Sequence, residues 1–270
     1  MSFAIKAVIL DWAGTMIDHG CRAPVVALQR VFEQAGAPIS EAEARADMGR
    51  AKRDHIRAIL ASPRVSQAWH ATHGTAPTEA DVASLHDAVE PMMRGAAKAC
   101  AALIPGAAEL VVRLRAAGVR IASCTGYTRP MMTDILPLAA EQGYMPDVVV
   151  CSGETIEGRP SPLMLWKSLV ELGVWPAWAC VKVDDATVGI GEGSAAGAWT
   201  VGLSASGNGV GLSYEALQAL PEDERQRRVA AAAADLRAAG ADYVIPSVAD
   251  LWPVLETIAA RIEAGERPDA

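Results

Sequence analysis

The segment Ala4–Thr15 constrains the fold more than any other, because an apolar run ends there abruptly in a carboxylate and a turn of small residues. Val8, Ile9 and Leu10 favour β-structure and show no polar alternation, which predicts a strand buried on both faces, as in a parallel sheet. Asp11 then lies at the carboxyl end of this strand, where open α/β sheets bind their ligands. Taken alone, the segment is better explained as a simple strand that ends in an Asx-turn than as a ligand site. The rest of the chain reverses that preference.

Five further apolar runs, at 119–124, 148–151, 179–183, 198–203 and 242–245, alternate with helical segments. This alternation predicts an α/β fold with a doubly wound, Rossmann-like parallel sheet. Residues 21–100 show helical periodicity and no strand signal, so we expect an all-helical domain inserted between core segments 1–20 and 101–270. Because this helical insert directly follows the carboxylate strand, it should cover the sheet edge as a lid. Pro91 is expected to kink or break its last helix.

Composition excludes several classes of protein. The formal net charge of −8, with no cluster of Lys or Arg, argues against a nucleic-acid partner. The five cysteines are widely spread and include no C-x-x-C pair, which predicts a reducing, cytoplasmic setting with neither disulfides nor a zinc site. The N-terminal apolar run is too short for a signal peptide, and no segment approaches the length of a membrane span.

Polar residues follow three of the predicted strands at the point where each strand ends. They are Asp11 with Gly14 and Thr15, Thr125 with Gly126, and Asp184 with Asp185. Because the carboxyl ends of parallel strands meet at one sheet edge, these groups should share a crevice. Carboxylates beside a hydroxyl and amide-rich turns suit a hard cation such as Mg²⁺ together with a phosphoryl group. Arg159 can bind two phosphoryl oxygens with its guanidinium fork.

The chain therefore resembles the haloacid dehalogenase superfamily of phosphotransferases. Asp11 matches the nucleophile motif of that superfamily, Thr125 its second motif, Arg159 its basic third motif and Asp184-Asp185 its acidic fourth. The helical insert between the first two motifs matches the mobile cap. The order of these features along nearly the whole chain is far more specific than any one of them.

One residue departs from the pattern of the superfamily. Most of its phosphatases carry a second Asp two residues after the nucleophile, which protonates the departing alkoxide, and that position is Ala13 here. Loss of a general acid costs about 10²–10⁴-fold in rate. Either the chain is impaired, or its leaving group does not need that proton.

The helical insert offers a reason for the second option. On a helix, Lys52 and His55 share a face because they are three residues apart. Burial under a lid and the like charges of Arg50 and Arg53 should favour a neutral amine, as an imine-forming lysine requires. The same stretch also fits an ordinary amphipathic helix with a solvated polar face. Together with Ala13, however, it favours an imine to an aldehyde β to phosphorus, from which carbon leaves as a neutral enamine.

Within the superfamily, the segments D-W-A-G-T, H-G-C-R-A-P, M-G-R-A-K-R-D-H, C-T-G-Y and K-V-D-D resemble those of the phosphonatases. The resemblance implies hydrolysis of phosphonoacetaldehyde to acetaldehyde and phosphate, in the degradation of 2-aminoethylphosphonate. It makes Asp11 the nucleophile and Lys52 the Schiff-base lysine, and it implies a homodimer formed through the caps. The remaining implied roles fall into three groups: Met48, His55, Cys21 and Tyr127 around the imine and the cap–core seam; Thr15, Thr125, Gly126 and Arg159 on the phosphoryl group; and Asp11, the Ala13 carbonyl, Asp185 and, less directly, Asp184 on Mg²⁺.

Two other functions stay open at this point. A phosphomonoesterase or phosphomutase on the same fold would not need Lys52, but it would have to explain Ala13. A catalytically inactive scaffold or binding protein would not need to hold metal at the strand ends. Gly189 stands where some relatives carry a further acid, and the sequence leaves the function of the long polar loop 204–213 open.

Overall fold

The computed structural model describes residues 3–268 and contains one six-stranded parallel sheet, in the order β3-β2-β1-β4-β5-β6. The strands are β1 (Ala7–Leu10), β2 (Arg120–Thr125), β3 (Val148–Cys151), β4 (Cys180–Asp184), β5 (Trp199–Leu203) and β6 (Tyr243–Ile245). Helices cover both faces, which confirms the predicted doubly wound α/β fold. The five downstream strands lie within one residue of their predicted bounds.

Strand β1 occupies the centre of the sheet and is buried on both faces. Its alternate side chains enter two different cores: Val8 and Leu10 pack in one cluster, and Ala7 and Ile9 in the other. The register pairs Leu10 with Val183 of β4 on one side and with Ser123 of β2 on the other. Asp11 is therefore level with the carboxyl ends of both neighbouring strands, at the point where the strand order reverses.

The helical insert contains five helices between β1 and β2: α1 (Arg22–Gln34), α2 (Glu41–Arg45), α3 (Lys52–Ala61), α4 (Pro63–His73) and α5 (Glu79–Ala99). Helix α5 packs against α1 and α3 and also against α7 (Arg129–Glu141) of the core. Capping boxes begin two of these helices, one between Ser40 and Glu43 and one between Thr78 and Asp81. The insert thus has its own helix starts and its own packing.

The break that the sequence predicts at Pro91 is absent, because α5 runs continuously through this residue. Proline removes one backbone donor, so the helix loses a single hydrogen bond at this point. Pro91 lies on the exposed side, where water can reach the freed carbonyl. Packing of the opposite face against α1 and α3 keeps the helix together.

The remaining helices are α6 (Ala107–Ala116), α8 (Leu163–Leu172), α9 (Thr187–Ala196), α10 (Tyr214–Gln218), α11 (Glu222–Ala238) and α12 (Leu251–Glu263). Helix α10 was not predicted. It is a single short turn begun by the Ser213 side chain, which accepts a hydrogen bond from the Ala216 amide. Among residues 3–268, every helix is too short or too polar to cross a membrane.

Candidate active site

Three carboxylates converge where β1 and β4 end. Oxygen atoms of Asp11, Asp184 and Asp185 all lie within 4.8 Å of one another, and all three side chains are buried. The cause is topological: adjacent parallel strands end at the same edge, and the Asp11 amide donates to the Val183 carbonyl (3.1 Å), which holds the two ends level.

The two aspartates after β4 have different partners. Asp185 accepts hydrogen bonds from the Thr15 hydroxyl (3.2 Å) and from the Asn208 backbone amide (2.7 Å). Asp184 accepts from the Ala186 amide (3.0 Å) with one oxygen, and its other oxygen pairs with Lys182 (3.1 Å). Asp184 is thus committed to other protein groups, whereas Asp185 lines the cavity above Asp11.

A buried ion network that the sequence analysis missed lies beside these carboxylates. Lys182 Nζ lies 2.9 Å from Glu192, and Arg159 contacts Glu192 through Nε (3.2 Å) and Asp184 through Nη1 (3.4 Å). Arg159 Nη2 also donates to Asp11 Oδ1 (2.7 Å) and to the Cys124 carbonyl. A signal existed, because Lys182 and Asp184 are two residues apart and so share one face of β4.

The electrostatics of this cluster suit a divalent cation. Four buried carboxylates, those of Asp11, Asp184, Asp185 and Glu192, lie together, and the buried cations that form ion pairs within this cluster are Arg159 and Lys182. Burial raises the pKa of Asp11 to about 6 against the opposing effect of Arg159. Burial, together with Asp184 and Asp11, holds the pKa of Asp185 well above its ordinary value. Carboxylate oxygens in excess of the cations that pair with them fit a hard divalent ion.

Lys52 reaches the same site from the helical insert. It is the first residue of α3, its side chain is buried, and it lines one cavity together with Asp11 and Asp185. Burial lowers the pKa of Lys52 from 10.5 to about 8. The predicted contribution from like charges is not observed, since Arg50 pairs with Asp47 (3.0 Å) and Arg53 is exposed.

The cavity lies between the insert and the core, and glycines allow the close approach. A Cβ on Gly126 would be 3.2 Å from the Arg50 carbonyl oxygen. Gly49 has φ +93°, and a Cβ there would be 2.7 Å from Val188. The insert is therefore seated directly on the ends of β2 and β4. The predicted residues that line the cavity are Asp11, Ala13, Cys21, Met48, Lys52, Thr125, Gly126, Tyr127, Arg159 and Asp185.

The other three predicted residues, Thr15, His55 and Asp184, lie outside this cavity wall. The Thr15 hydroxyl donates to Asp185, and the amides of Gly14 and Thr15 donate to the carbonyls of Ile17 (2.8 Å) and Trp12 (3.2 Å). These donors were predicted to face an anion, but the tight turn around Gly14 (φ +84°) directs them into itself.

Two neutral side chains and an imidazole surround the amine. Burial holds the pKa of Cys21 and of Tyr127 well above their ordinary values, so both stay protonated. His55 follows Lys52 on the same buried face of α3, close to the backbone of Ala44 and Ala46. Burial, with the Lys52 charge second, lowers the pKa of His55 to about 3.

Comparison with known proteins agrees with this geometry. The haloacid dehalogenase-like hydrolase family model matches residues 5–197. Phosphonoacetaldehyde hydrolase of Paraburkholderia xenovorans is 50% identical over 98% of this chain and 99% of its own length. The chain belongs to the phosphonoacetaldehyde hydrolase family. The enzyme of that name from Nitratidesulfovibrio vulgaris is 44% identical over 98% of this chain and 94% of its own. The family resemblance indicated by the motifs is confirmed.

Solved structures extend the comparison to the fold. A phosphonoacetaldehyde hydrolase-like protein from Oleispira antarctica superposes with a TM-score of 0.97 and 44% identity, over 98% of this chain and 96% of that one. A β-phosphoglucomutase from Clostridium difficile has a TM-score of 0.68 at 15% identity and shows only that the fold is shared.

Proposed function

We propose that this protein hydrolyses the carbon–phosphorus bond of phosphonoacetaldehyde, with Lys52 forming an imine and Asp11 accepting the phosphoryl group. The observation that carries the proposal is one cavity lined by both an amine of lowered pKa and the strand-end aspartate. Ala13, where related phosphatases have an acid, lines the same cavity. A reaction whose leaving group is an enamine accounts for both features at once.

The proposal includes Mg²⁺, held by Asp11, Asp185 and the Ala13 carbonyl. The ion would neutralise the phosphonate charge and orient phosphorus toward Asp11. We assign Asp184 to support, because its two oxygens already bind Ala186, Lys182 and Arg159. Thr15 likewise supports Asp185, and Thr125 and Gly126 remain as donors for the phosphoryl oxygens. Arg159 already contacts Asp11, Asp184 and Glu192, so it would donate to a phosphoryl oxygen only by releasing one of these carboxylates.

The first covalent step in this proposal belongs to Lys52. Its neutral amine adds to the aldehyde carbon, and water leaves to give an iminium ion. Near pH 8 a substantial fraction of the amine is unprotonated, because burial disfavours its charged form. The positive iminium, two atoms from phosphorus, then accepts the electron pair of the carbon–phosphorus bond.

The second covalent step belongs to Asp11. A carboxylate oxygen attacks phosphorus, the carbon–phosphorus bond breaks, and its electron pair forms the double bond of a neutral enamine on Lys52. Water then hydrolyses the aspartyl-phosphate to phosphate and free Asp11. Protonation of the enamine carbon and addition of water to the iminium release acetaldehyde and restore the amine. No step requires an acid at position 13.

The surrounding residues receive more modest roles. We assign His55 to positioning, and not to the predicted proton transfer, because an imidazole of pKa about 3 is a weak base at working pH. Cys21, Met48 and Tyr127 enclose the amine and keep its surroundings poor in charge. The Met48 and Tyr127 side chains exclude water and so sustain the lowered pKa of Lys52, whereas Cys21 opposes it.

The proposal extends to domain motion, assembly and compartment. Residues 21–100 would act as a cap that opens for substrate, and two chains would associate through their caps. Five free cysteines suit a reducing cytoplasm, where the product of 2-aminoethylphosphonate transamination would be the substrate. Light scattering of the purified protein tests the dimer, and a monomeric mass would contradict the proposed association.

Borohydride trapping tests the proposed function directly. Reduction in the presence of phosphonoacetaldehyde should leave an ethylamine-type adduct that mass mapping places on Lys52, together with Mg²⁺-dependent release of phosphate. Turnover without an adduct on Lys52 would contradict the imine and favour a phosphomonoesterase. Absence of phosphate release from any phosphorus substrate would favour an inactive scaffold.

A further inference from the structure

The loop 204–213 contacts both the candidate metal ligand and the helical insert. The Asn208 backbone amide donates to Asp185 Oδ2 (2.7 Å). The same residue exchanges two side-chain hydrogen bonds with Arg45 of α2: Arg45 Nη1 donates to Asn208 Oδ1 (3.1 Å), and Asn208 Nδ2 donates to the Arg45 carbonyl (3.2 Å). One residue of the core thus contacts a carboxylate of the site with its backbone and the insert with its side chain.

The arginine is built into this position and is not a loose surface contact. Its guanidinium also donates to the Gly20 carbonyl (2.9 Å) and the Gly211 carbonyl (2.9 Å), and its side chain is only 15% exposed. Gly211 has φ +74°, and a Cβ there would lie 2.7 Å from Arg45 Cζ. The guanidinium therefore fills a space that only glycine at 211 leaves open.

The two residues before Asn208 are held by the core. The Ser206 hydroxyl donates to the Gly14 carbonyl (2.8 Å), next to the Asp11 turn. At Gly207, a Cβ would lie 2.3 Å from Asp185 Cβ, so the loop backbone lies directly against that aspartate. If the insert lifts from the core, Arg45 must leave Asn208, Gly20 and Gly211 together. The Asn208 side chain then loses its partner in the insert, and only the core contacts of the loop remain to hold the Asn208 amide on Asp185.

We propose that Arg45 and Asn208 are positioning residues that couple the seating of the helical insert to the position of Asp185. Seating of the insert and binding of a divalent cation at Asp185 then favour one another. The coupling is reciprocal, because any contact that improves cation binding in the seated state makes the cation stabilise that state equally. This inference rests on the metal site of the proposed function.

Calorimetric titration of the metal-free full chain with Mg²⁺ tests the coupling. Asn208→Ala keeps the backbone donor to Asp185 but removes the contact with Arg45, and we expect its Mg²⁺ affinity to fall by about tenfold. Arg45→Ala should cause a similar loss. The double variant should lose less affinity than the sum of the two single losses, because both changes remove the hydrogen bond from Arg45 Nη1 to Asn208 Oδ1.

Two matched controls remove charge from the insert without touching the core loop. Glu41→Gln deletes the partner that Arg45 has within α2 (2.8 Å), and Arg64→Ala deletes an arginine that pairs with Glu43 inside the insert. Both should keep the wild-type Mg²⁺ affinity. Thermal melting of every metal-free variant confirms that the comparison is made on folded protein.

Hydrogen exchange supplies a second measurement. In the wild-type protein, Mg²⁺ should slow exchange across residues 41–51, and in Asn208→Ala this protection should be lost. Equal Mg²⁺ affinity in the wild type, Arg45→Ala and Asn208→Ala would overturn the inference while leaving the proposed function intact. Weaker binding without any change in protection would also overturn it. A wild-type protein that binds no Mg²⁺ would instead overturn the metal site and the coupling together.

Discussion

Lys52 and Lys182 are both buried, yet their surroundings act on them in opposite directions. Lys52, in the insert, is 4% exposed, and burial lowers its pKa to about 8. Lys182, in the core, is fully buried, and its pKa is raised despite burial and the nearby Arg159, because Glu192 and Asp184 contact it. Within residues 3–268, no carboxylate forms a comparable ion pair with Lys52.

The comparison shows that partners, and not depth, decide what a buried lysine does. An amine without a carboxylate loses hydration and gains nothing in return, so its neutral form is favoured. An amine between two carboxylates keeps its proton and acts as a fixed charge. The insert therefore presents a nucleophile, while the core uses the same residue type to hold Asp184 and Glu192 beside Arg159.

The largest expected effect is on turnover. Lys52→Arg keeps a cation on α3 but removes the group that can form an imine, so phosphate release should fall by at least about 10³-fold. The control Lys167→Arg changes a partly exposed lysine on α8 that pairs loosely with Glu154 and Glu171. It should retain wild-type turnover in the same phosphate-release assay. Substantial activity in Lys52→Arg would break the comparison.

The next effect is on stability. Lys182→Met leaves Asp184 and Glu192 buried with one cation fewer, which should cost about 3–5 kcal/mol in the free energy of unfolding. Lys52→Met replaces an unpaired buried amine with an apolar chain of similar length and should be neutral or stabilising. Urea denaturation of both variants at pH 7 measures the difference. Equal losses would mean that the two lysines have equivalent surroundings.

The pH dependence of stability sharpens the contrast for Lys52. Its pKa is about 8 in the folded protein and 10.5 as the ordinary value, so between these limits the unfolded chain binds the extra proton. Wild-type stability should therefore rise with pH across this window, by about 3 kcal/mol in total. Below pH 8, Lys52→Met should have its full gain in unfolding free energy over the wild type, and this gain should disappear as the pH rises. A gain that does not depend on pH would contradict the lowered pKa.

The smallest effect concerns Gly189. A Cβ there would lie 2.0 Å from Asp184 Oδ2, so Gly189→Ala must displace a carboxylate that Lys182 and Arg159 hold. We expect a loss of about 1–3 kcal/mol in unfolding free energy. Gly95→Ala in α5 meets no atom within 4 Å and should instead stabilise slightly. Thermal melting distinguishes the two variants, and a change of melting temperature with the same sign in both would contradict this prediction.

Local pattern was sufficient for most of the fold. Apolar runs without alternation located the strands because a parallel sheet buries both faces. It missed α10, whose single short turn has no periodicity to detect, and the break that it allowed at Pro91 is absent, because α5 packs against α1 and α3 on both sides of Pro91. At Pro91 the deciding contacts come from outside the segment, whereas α10 depends on its own Ser213 cap.

For the site, the sequence alone located the strand-end residues Asp11, Thr125, Asp184 and Asp185 and placed Lys52 on a helix beyond β1. This was possible because strand ends and helix faces follow from short-range spacing, and parallel topology brings the ends together. Only the tertiary structure decided which donors serve Asp185 and that burial, not like charges, lowers the pKa of Lys52. It also decided that Arg45 contacts Asn208, 163 residues away. Side-chain partners so distant along the chain depend on how whole elements pack, and no local spacing encodes that.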